Sequence, residues 1–385
     1  YDEALSALEE CRKYDRDYAE IYRFQMKAYE GKKEYKKMID AMMALFEKTD
    51  DTDYIDTDVL LKDVSYSVAL LKEKIAGEGD NALWKVVLAS VYQDSHKYSE
   101  VIPILDGLIE EYGYDEDLLE ERADCYALMG MTDLAVKDMN KAIDLCDERN
   151  HAYYYARRGE IFRSAALYDE AIQDFSKVID RYPTGAYGYY ARGWCKELSG
   201  DQDGAMKDYN EGISVDEDYP YIYLMRGSLY LEKGEMEKGM TDFETVVAKD
   251  TTVEDGSCRH YALNFLGKTE EAFEWMEKII ELDPDDPGNW YDKACLLARM
   301  NRCDEAVSAL RTSFEKGFRK FPHVDHDNDM DSIRDRDDFQ ALMQQYRKML
   351  EQEVLTIGKD LDESAGKVVS EIEMKKMYGG TYEIP

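Results

Sequence analysis

The chain has 385 residues, 44% of them apolar, enough to bury a substantial core. Lys+Arg 49 against Asp+Glu 84 gives a net charge of -35, which repels nucleic-acid phosphates and anionic lipid and favours basic partners. No apolar run is long enough for a transmembrane helix, and the 7 cysteines, scattered and without a CxxC, argue against a disulfide framework and a zinc site and read as small core residues.

The chain opens at YDEALSALEE, helical in its apolar spacing and without a charged-then-apolar leader. The compartment therefore stays open between the cytoplasm and, if a leader was removed, export. From here a two-helix pattern recurs. The turn and second helix of each pair are marked by Ala4, Met38, a residue at about Ala69, Val101, Ala135, Ala171, Ala205, Gly239, Ala272 and Ala306. The first pair lacks its first helix. The repeats near 53–80 and 251–284 are weak, the second because TTVEDGSCRHYALNFLG leaves room only for a shortened first helix. In the middle the pattern is strict: Gly159, Gly193 and Gly227 lie 34 residues apart, and so do Ala171, Ala205 and Gly239. Phe175, Tyr209 and Phe243 follow four residues later. A period of this length marks a solenoid of helical hairpins, each too thin to bury both its apolar faces alone. Glycine costs a helix about 1 kcal/mol against alanine, so close crossing of two helices has to offset it. The rings of Phe162, Phe175, Tyr209, Tyr230 and Phe243 are expected to fill the space between hairpins.

The solenoid is expected to span 1–320. Residues 321–352 follow as a capping segment and an amphipathic helix starting near Asp335 or Asp337, and 353–385 as a linker with the possible start of a following domain. The run HVDHDNDMDSIRDRDDF, His323 to Phe339, has the alternate aspartates of a calcium loop, but Met330 replaces the turn glycine and Arg336 the bidentate glutamate. His323 and His326 have no further ligand set, so no metal and no cofactor is expected.

A small residue in the first helix, a G-x-(Y/M)-x-x-A turn and an aromatic in the second helix resemble the tetratricopeptide (TPR) repeat family over most of the chain. The resemblance implies an all-α fold, a right-handed superhelix of about nine to ten hairpins with a C-terminal capping helix. It also implies that first helices line a concave face that receives a peptide or helix of a protein partner. Carried over by register, that groove would contain Tyr153, Arg157, Tyr187, Tyr190, Trp194, Tyr221, Leu224 and Met225, with Ala156, Glu160, Glu197 and Ser228 beside them. Tyrosine and tryptophan give large contact area at low entropy cost and dominate binding hot spots. The lysines and asparagines that capture a terminal carboxylate in chaperone-tail receptors of this family are absent from these positions, so that specificity is not expected.

A second periodic feature is charged. Arg122, Arg158, Arg192 and Arg226 stand directly before the small residue, and Asp138, Asp174, Asp208 and Asp242 follow each by 16 residues. The expected role is a structural ion-pair ladder, within or between repeats, because the planar guanidinium can bridge a carboxylate with two hydrogen bonds.

No nucleophile elbow, phosphate loop, HExxH or dinucleotide fingerprint occurs, so no catalytic residue is assigned. The tail YGGTYEIP resembles the first strand of retroviral-type aspartic proteases found behind TPR arrays in some bacterial proteins. The Asp-Thr-Gly or Asp-Ser-Gly of that family is absent here. The expectation is a non-catalytic scaffold with an aromatic, acidic groove for a basic or ring-binding protein segment. The alternative is the substrate-presenting arm of a larger hydrolase whose catalytic domain lies past residue 385.

Overall fold

The computed structural model describes residues 1–14, 20–49, 51–77, 81–253 and 257–365. The expectation drawn from YGGTYEIP lies outside the described residues. Among the described residues all regular structure is helical, and no helix is long and apolar enough to cross a membrane. The chain divides into two compact units, Tyr1–Gly113 and Tyr114 onwards.

In the first unit α1 (Asp2–Tyr14) precedes three helix pairs: α2 (Glu20–Gly31) with α3 (Tyr35–Thr49), the short α4 (Thr57–Leu61) with α5 (Val64–Ile75), and α6 (Ala82–Asp94) with α7 (Tyr98–Tyr112). Ile39, Met42, Leu45, Leu60, Leu71 and Val91 form its driest part. The second unit holds six pairs: α8 (Glu116–Leu128) with α9 (Thr132–Leu145), α10 (His151–Ser164) with α11 (Tyr168–Arg181), α12 (Ala186–Leu198) with α13 (Gln202–Val215), α14 (Pro220–Glu232) with α15 (Met236–Lys249), α16 (Arg259–Phe265) with α17 (Thr269–Leu282), and α18 (Pro287–Arg299) with α19 (Cys303–Glu315). Within each unit each pair packs on the next, which is the α-solenoid arrangement.

One turn design joins both helices in eight pairs. Lys33, His96, Gly130, Ala166, Gly200, Gly234, Gly267 and Asn301 all have positive φ, and each stands five residues before the marker residue of its second helix. The next amide closes a six-to-one hydrogen bond back into the first helix, as in Leu167 N to Phe162 O at 2.8 Å and Asp201 N to Lys196 O at 2.8 Å. This is the Schellman geometry, which satisfies terminal carbonyls and reverses the chain.

The pair of α4 and α5 departs from this design. The sequence puts its marker at about Ala69, but Ala69 is exposed, and the fourth residue of α5 is Ser67. Ser67 is wholly buried, with its hydroxyl donating to Leu60 O at 2.7 Å. A buried hydroxyl that carries its own acceptor took the place of the expected methyl, so the register lies two residues earlier.

The shortened first helix foreseen near 251–284 is α16, of seven residues. Buried Asp250 starts it by accepting from Cys258 N at 2.7 Å and Arg259 N at 2.8 Å.

The strict middle repeats pack as their residue sizes dictate. A Cβ on Gly159, Gly193 or Gly227 would meet the ring of Phe175, Tyr209 or Phe243 at 2.9, 2.6 and 2.8 Å, respectively. These three rings are fully buried against their own hairpin's glycine. Phe175 also meets Tyr187 edge-on at 6.2 Å, and Phe243 stacks on Phe265 at 4.6 Å, so these two rings reach the next hairpin too. Of the cysteines, Cys125, Cys146, Cys195, Cys258 and Cys295 are buried; Cys11 is exposed and Cys303 half-buried.

The aspartate-rich run after α19 forms α20 (Phe321–His326), a 3-10 turn and α21 (Asp331–Arg334). Its carboxylates are engaged in capping and ion pairs: Asp327 accepts from Asp329 N at 2.9 Å, Asp329 pairs with Arg299 at 2.8 Å, and Asp325 pairs with Arg347. Among the described residues no cluster could hold a metal ion. The last helix, α22 (Asp337–Ala365), passes through Glu353 and continues to Ala365. Residues 353–365 are therefore helix, where the sequence reading begins a linker.

Candidate binding groove

The ion-pair ladder is uniform in geometry. In each pair Arg Nε and Nη2 reach the two oxygens of one aspartate on the second helix of the same hairpin. The distances are 2.7 and 2.8 Å for Arg122–Asp138, 2.7 and 2.7 Å for Arg158–Asp174, 2.8 and 2.7 Å for Arg192–Asp208, and 2.8 and 2.8 Å for Arg226–Asp242. The aspartate side chains are only 2–6% exposed. In Arg158, Arg192 and Arg226 the third nitrogen reaches back to the preceding hairpin. Arg158 Nη1 bonds Asn140, Arg192 Nη1 bonds Ser176 at 3.2 Å, and Arg226 Nη1 bonds Asn210 at 2.8 Å. The guanidinium therefore ties both helices of one repeat and the second helix of the repeat before. Asn140, Ser176 and Asn210 were not singled out from the sequence. Their signal is a polar residue two positions after each ladder aspartate.

Tyrosines sit over these guanidinium groups at the same period. Arg158, Arg192 and Arg226 lie 5.4, 6.0 and 5.5 Å from the rings of Tyr155, Tyr189 and Tyr223, each three residues earlier. These rings belong to the ladder and not to the groove positions.

The groove positions form a separate face. Tyr153 is 53% exposed, and its hydroxyl donates to Glu120 at 2.6 Å. That bond to a carboxylate is the main cause that pushes the Tyr153 phenol up to about 12. Arg157 bridges Glu120 at 2.8 Å and Asp124 at 2.5 Å, both on α8. Tyr187, 36% exposed, donates to Glu160 at 3.0 Å, and Glu160 also holds Arg163. Arg163 lies flat on Trp194, 3.9 Å from the ring centroid.

Tyr190 is the hub of the rings. It lies 6.4 Å from Tyr187, 5.8 Å from Trp194, 5.7 Å from Tyr219 and 6.0 Å from Tyr221. Burial raises the phenols of Tyr187 and Tyr190 far above the usual range and that of Tyr221 to about 12, so all three stay neutral hydrogen-bond donors. Met225 is half-buried beside them.

Leu224 does not belong to this face. It is buried in the core with Tyr209, Ile222 and Phe243, so its assignment to the groove is corrected. One residue of rotation along α14 separates it from Met225, and register alone did not resolve that. Tyr219, which caps α14, joins the rings although register did not select it; the tyrosines on either side of Pro220 were the available signal.

The capping segment reaches the same face. Lys320 is exposed to solvent, and crowding around it and then the like charge of Arg163 lower its pKa, with Glu160 and Asp292 opposing. Close by, the thiol of Cys295, the imidazole of His323 and the carboxylate of Asp327 come together. Cys295 Sγ and His323 Nε2 each lie 3.7 Å from Asp327 Oδ2, to which Tyr291 donates at 2.5 Å. Burial, and then the charges of Asp327 and Asp292, push the thiol well above its ordinary range. It is held as a thiol and is not an activated nucleophile.

Comparison with known proteins adds the following. A family model described as "Tetratricopeptide repeat" matches residues 186–219, 220–248 and 261–286, and a second with the same description matches 157–185. TPR repeat-containing protein MJ1428 of Methanocaldococcus jannaschii is 25% identical over 244 residues, covering 57% of this chain and 40% of that protein. The human mitochondrial import receptor subunit TOM70 is 26% identical over 223 residues, covering 54% of this chain and 36% of the receptor. The Hsp70-Hsp90 organizing protein of Triticum aestivum is 25% identical over 232 residues, covering 50% of this chain and 39% of that protein. The chain thus spans about two fifths of the length of these curated relatives.

Proposed function

This chain carries tetratricopeptide repeats, and on that premise we propose that it is a protein-interaction scaffold whose first-helix face in the second unit binds a segment of a protein partner. The observation that carries the reading is the ring surface centred on Tyr190, with Tyr187, Trp194, Tyr219 and Tyr221 around it. Burying such rings is worth about 25 cal/mol per Å², and their stiffness keeps the entropy loss small. Two relatives, a mitochondrial import receptor subunit and an Hsp70-Hsp90 organizing protein, are consistent with a binding role.

The test is affinity capture with wild type against the Tyr190→Ala/Trp194→Ala double variant, both first shown to melt alike. Loss of defined partners from the variant supports the groove. Recovery of the same set by both proteins overturns it.

A second reading rests on YGGTYEIP alone: the array presents substrate to an aspartic protease domain. Sequencing the gene past Pro385 tests it, with an in-frame Asp-Thr-Gly or Asp-Ser-Gly as the expected result.

A further inference from the structure

We infer that the groove takes one extended segment, with a basic residue over α8 and an apolar or aromatic residue over α12 and α14. This rests on the groove reading above and deepens it.

The argument comes from repeating the groove register through successive first helices. Counted from the ladder arginine, the groove positions lie five, two and one residues before it and two after. In α8 these positions hold Asp117, Glu120, Glu121 and Asp124, four carboxylates. One repeat on, α10 offers Tyr153 and Arg157, a mixed surface. In α12 the exposed and half-buried positions are all rings, and in α14 they are Tyr221 and Met225 with one serine. The face therefore changes from anionic to aromatic to aliphatic along the array.

The anionic end is under-neutralised. Arg157 bonds Glu120 and Asp124, and Asp117 takes the Tyr154 hydroxyl. Glu121 has no hydrogen bond or ion pair among the described residues. Burial, and then the like charges of Asp117 and Asp124, raise its pKa. The ring end, by contrast, is balanced within itself, because Arg163 pairs with Glu160 while it lies on Trp194. That internal contact also shows how the face holds a guanidinium, with an aromatic plane beneath and a carboxylate beside it. A lysine or arginine of the partner placed over Glu121 supplies the missing countercharge, whereas an acidic segment is repelled there. Neighbouring helix axes lie about 10 Å apart, so α8 and α12 are about 20 Å apart. An extended chain covers that in roughly six residues.

The test uses three fluorescein-labelled dodecapeptides and the whole 385-residue chain, read by fluorescence anisotropy. One peptide carries two arginines followed, six residues on, by Trp-Leu. The second replaces the arginines by glutamates, and the third replaces Trp-Leu by Ala-Ala. The first is expected to bind at least about ten-fold tighter than the glutamate peptide, with the gap closing as salt rises. The alanine peptide is expected to be weaker. Glu121→Lys should abolish the arginine preference, and the isosteric Glu121→Gln should reduce it. Tyr190→Ala/Trp194→Ala should weaken both ring-bearing peptides and leave the preference in place.

Equal binding of arginine and glutamate peptides, or an unchanged gap in both Glu121 variants, overturns the inference while the groove survives. Failure of all three peptides at millimolar concentration overturns the groove itself.

Discussion

Arg158, Arg192 and Arg226 are three-way junctions, and the consequences of removing one depend on what else its aspartate touches. Asp242 has Arg226 as its cation among the described residues, so Arg226→Ala leaves a nearly buried charge and is expected to cost about 3–5 kcal/mol. Asp208 keeps Lys196 at 2.8 Å, so Arg192→Ala should cost less. Arg157→Ala, whose carboxylates are partly solvated, should cost least, about 1 kcal/mol. Thermal melts check this order, and equal melting temperatures for the three refute the ladder's structural role. A second residue, Glu197, reports on pH. Burial raises its carboxyl to about 7, against the donated Tyr209 hydroxyl at 2.7 Å. From about pH 4.5 to 7 the folded protein keeps a proton that the unfolded chain has lost, so this group's contribution falls as pH rises and is flat above. Glu197→Gln has no such loss. The variant's stability relative to wild type should rise by about 2 kcal/mol between about pH 5 and about pH 8, and a constant difference would show Glu197 to be unshifted.

The recurring element is the hairpin, and two glycine roles within it have opposite sensitivities. Its turn needs a left-handed residue, yet Ala166 fills that place at φ 58. A side chain there costs about 1 kcal/mol or more, so Ala166→Gly is expected to stabilise, and Gly200→Ala to destabilise, each by about 1 kcal/mol in urea titrations. The helix-crossing glycines are governed by space instead. Gly193→Ala gains about 1 kcal/mol of helix propensity but puts a methyl 2.6 Å from the fully buried Tyr209 ring, so a net loss of about 1–3 kcal/mol is expected. Gly107→Ala, with nothing within 4 Å of the new methyl, should stabilise by up to about 1 kcal/mol. Melting the pair separates packing from propensity, and a gain in both would remove the crowding argument.

Across the molecule, stability in a stacked array comes from neighbours, and burial shows where neighbours are few. Helix α1 buries none of its residues, whereas α10 to α15 each bury three or more. Amide hydrogen exchange should therefore be fastest in Asp2–Tyr14 and slowest in the hairpins between His151 and Lys249. Protection of α1 equal to that of α12 would contradict nearest-neighbour stacking as the source of stability. At the same scale, the first-helix face changes from carboxylates on α8 to rings on α12, a gradient that no single hairpin displays.

The amino-acid sequence by itself determined the helical hairpin, its 34-residue period, the small residues at the crossings and the pairing register of Arg158 with Asp174, because these depend on spacing along one or two helices. It missed Ser67, where a buried hydroxyl found a carbonyl and broke the alanine signal. It placed Leu224 in the groove because one residue's rotation decides between core and surface, and spacing is blind to that. Tertiary structure alone decided which neighbouring repeat each guanidinium reaches, that Tyr219 and Arg163 complete the ring surface, and that Glu121 stands among like charges. Those contacts join helices of different hairpins, and only their stacking brings the side chains within reach.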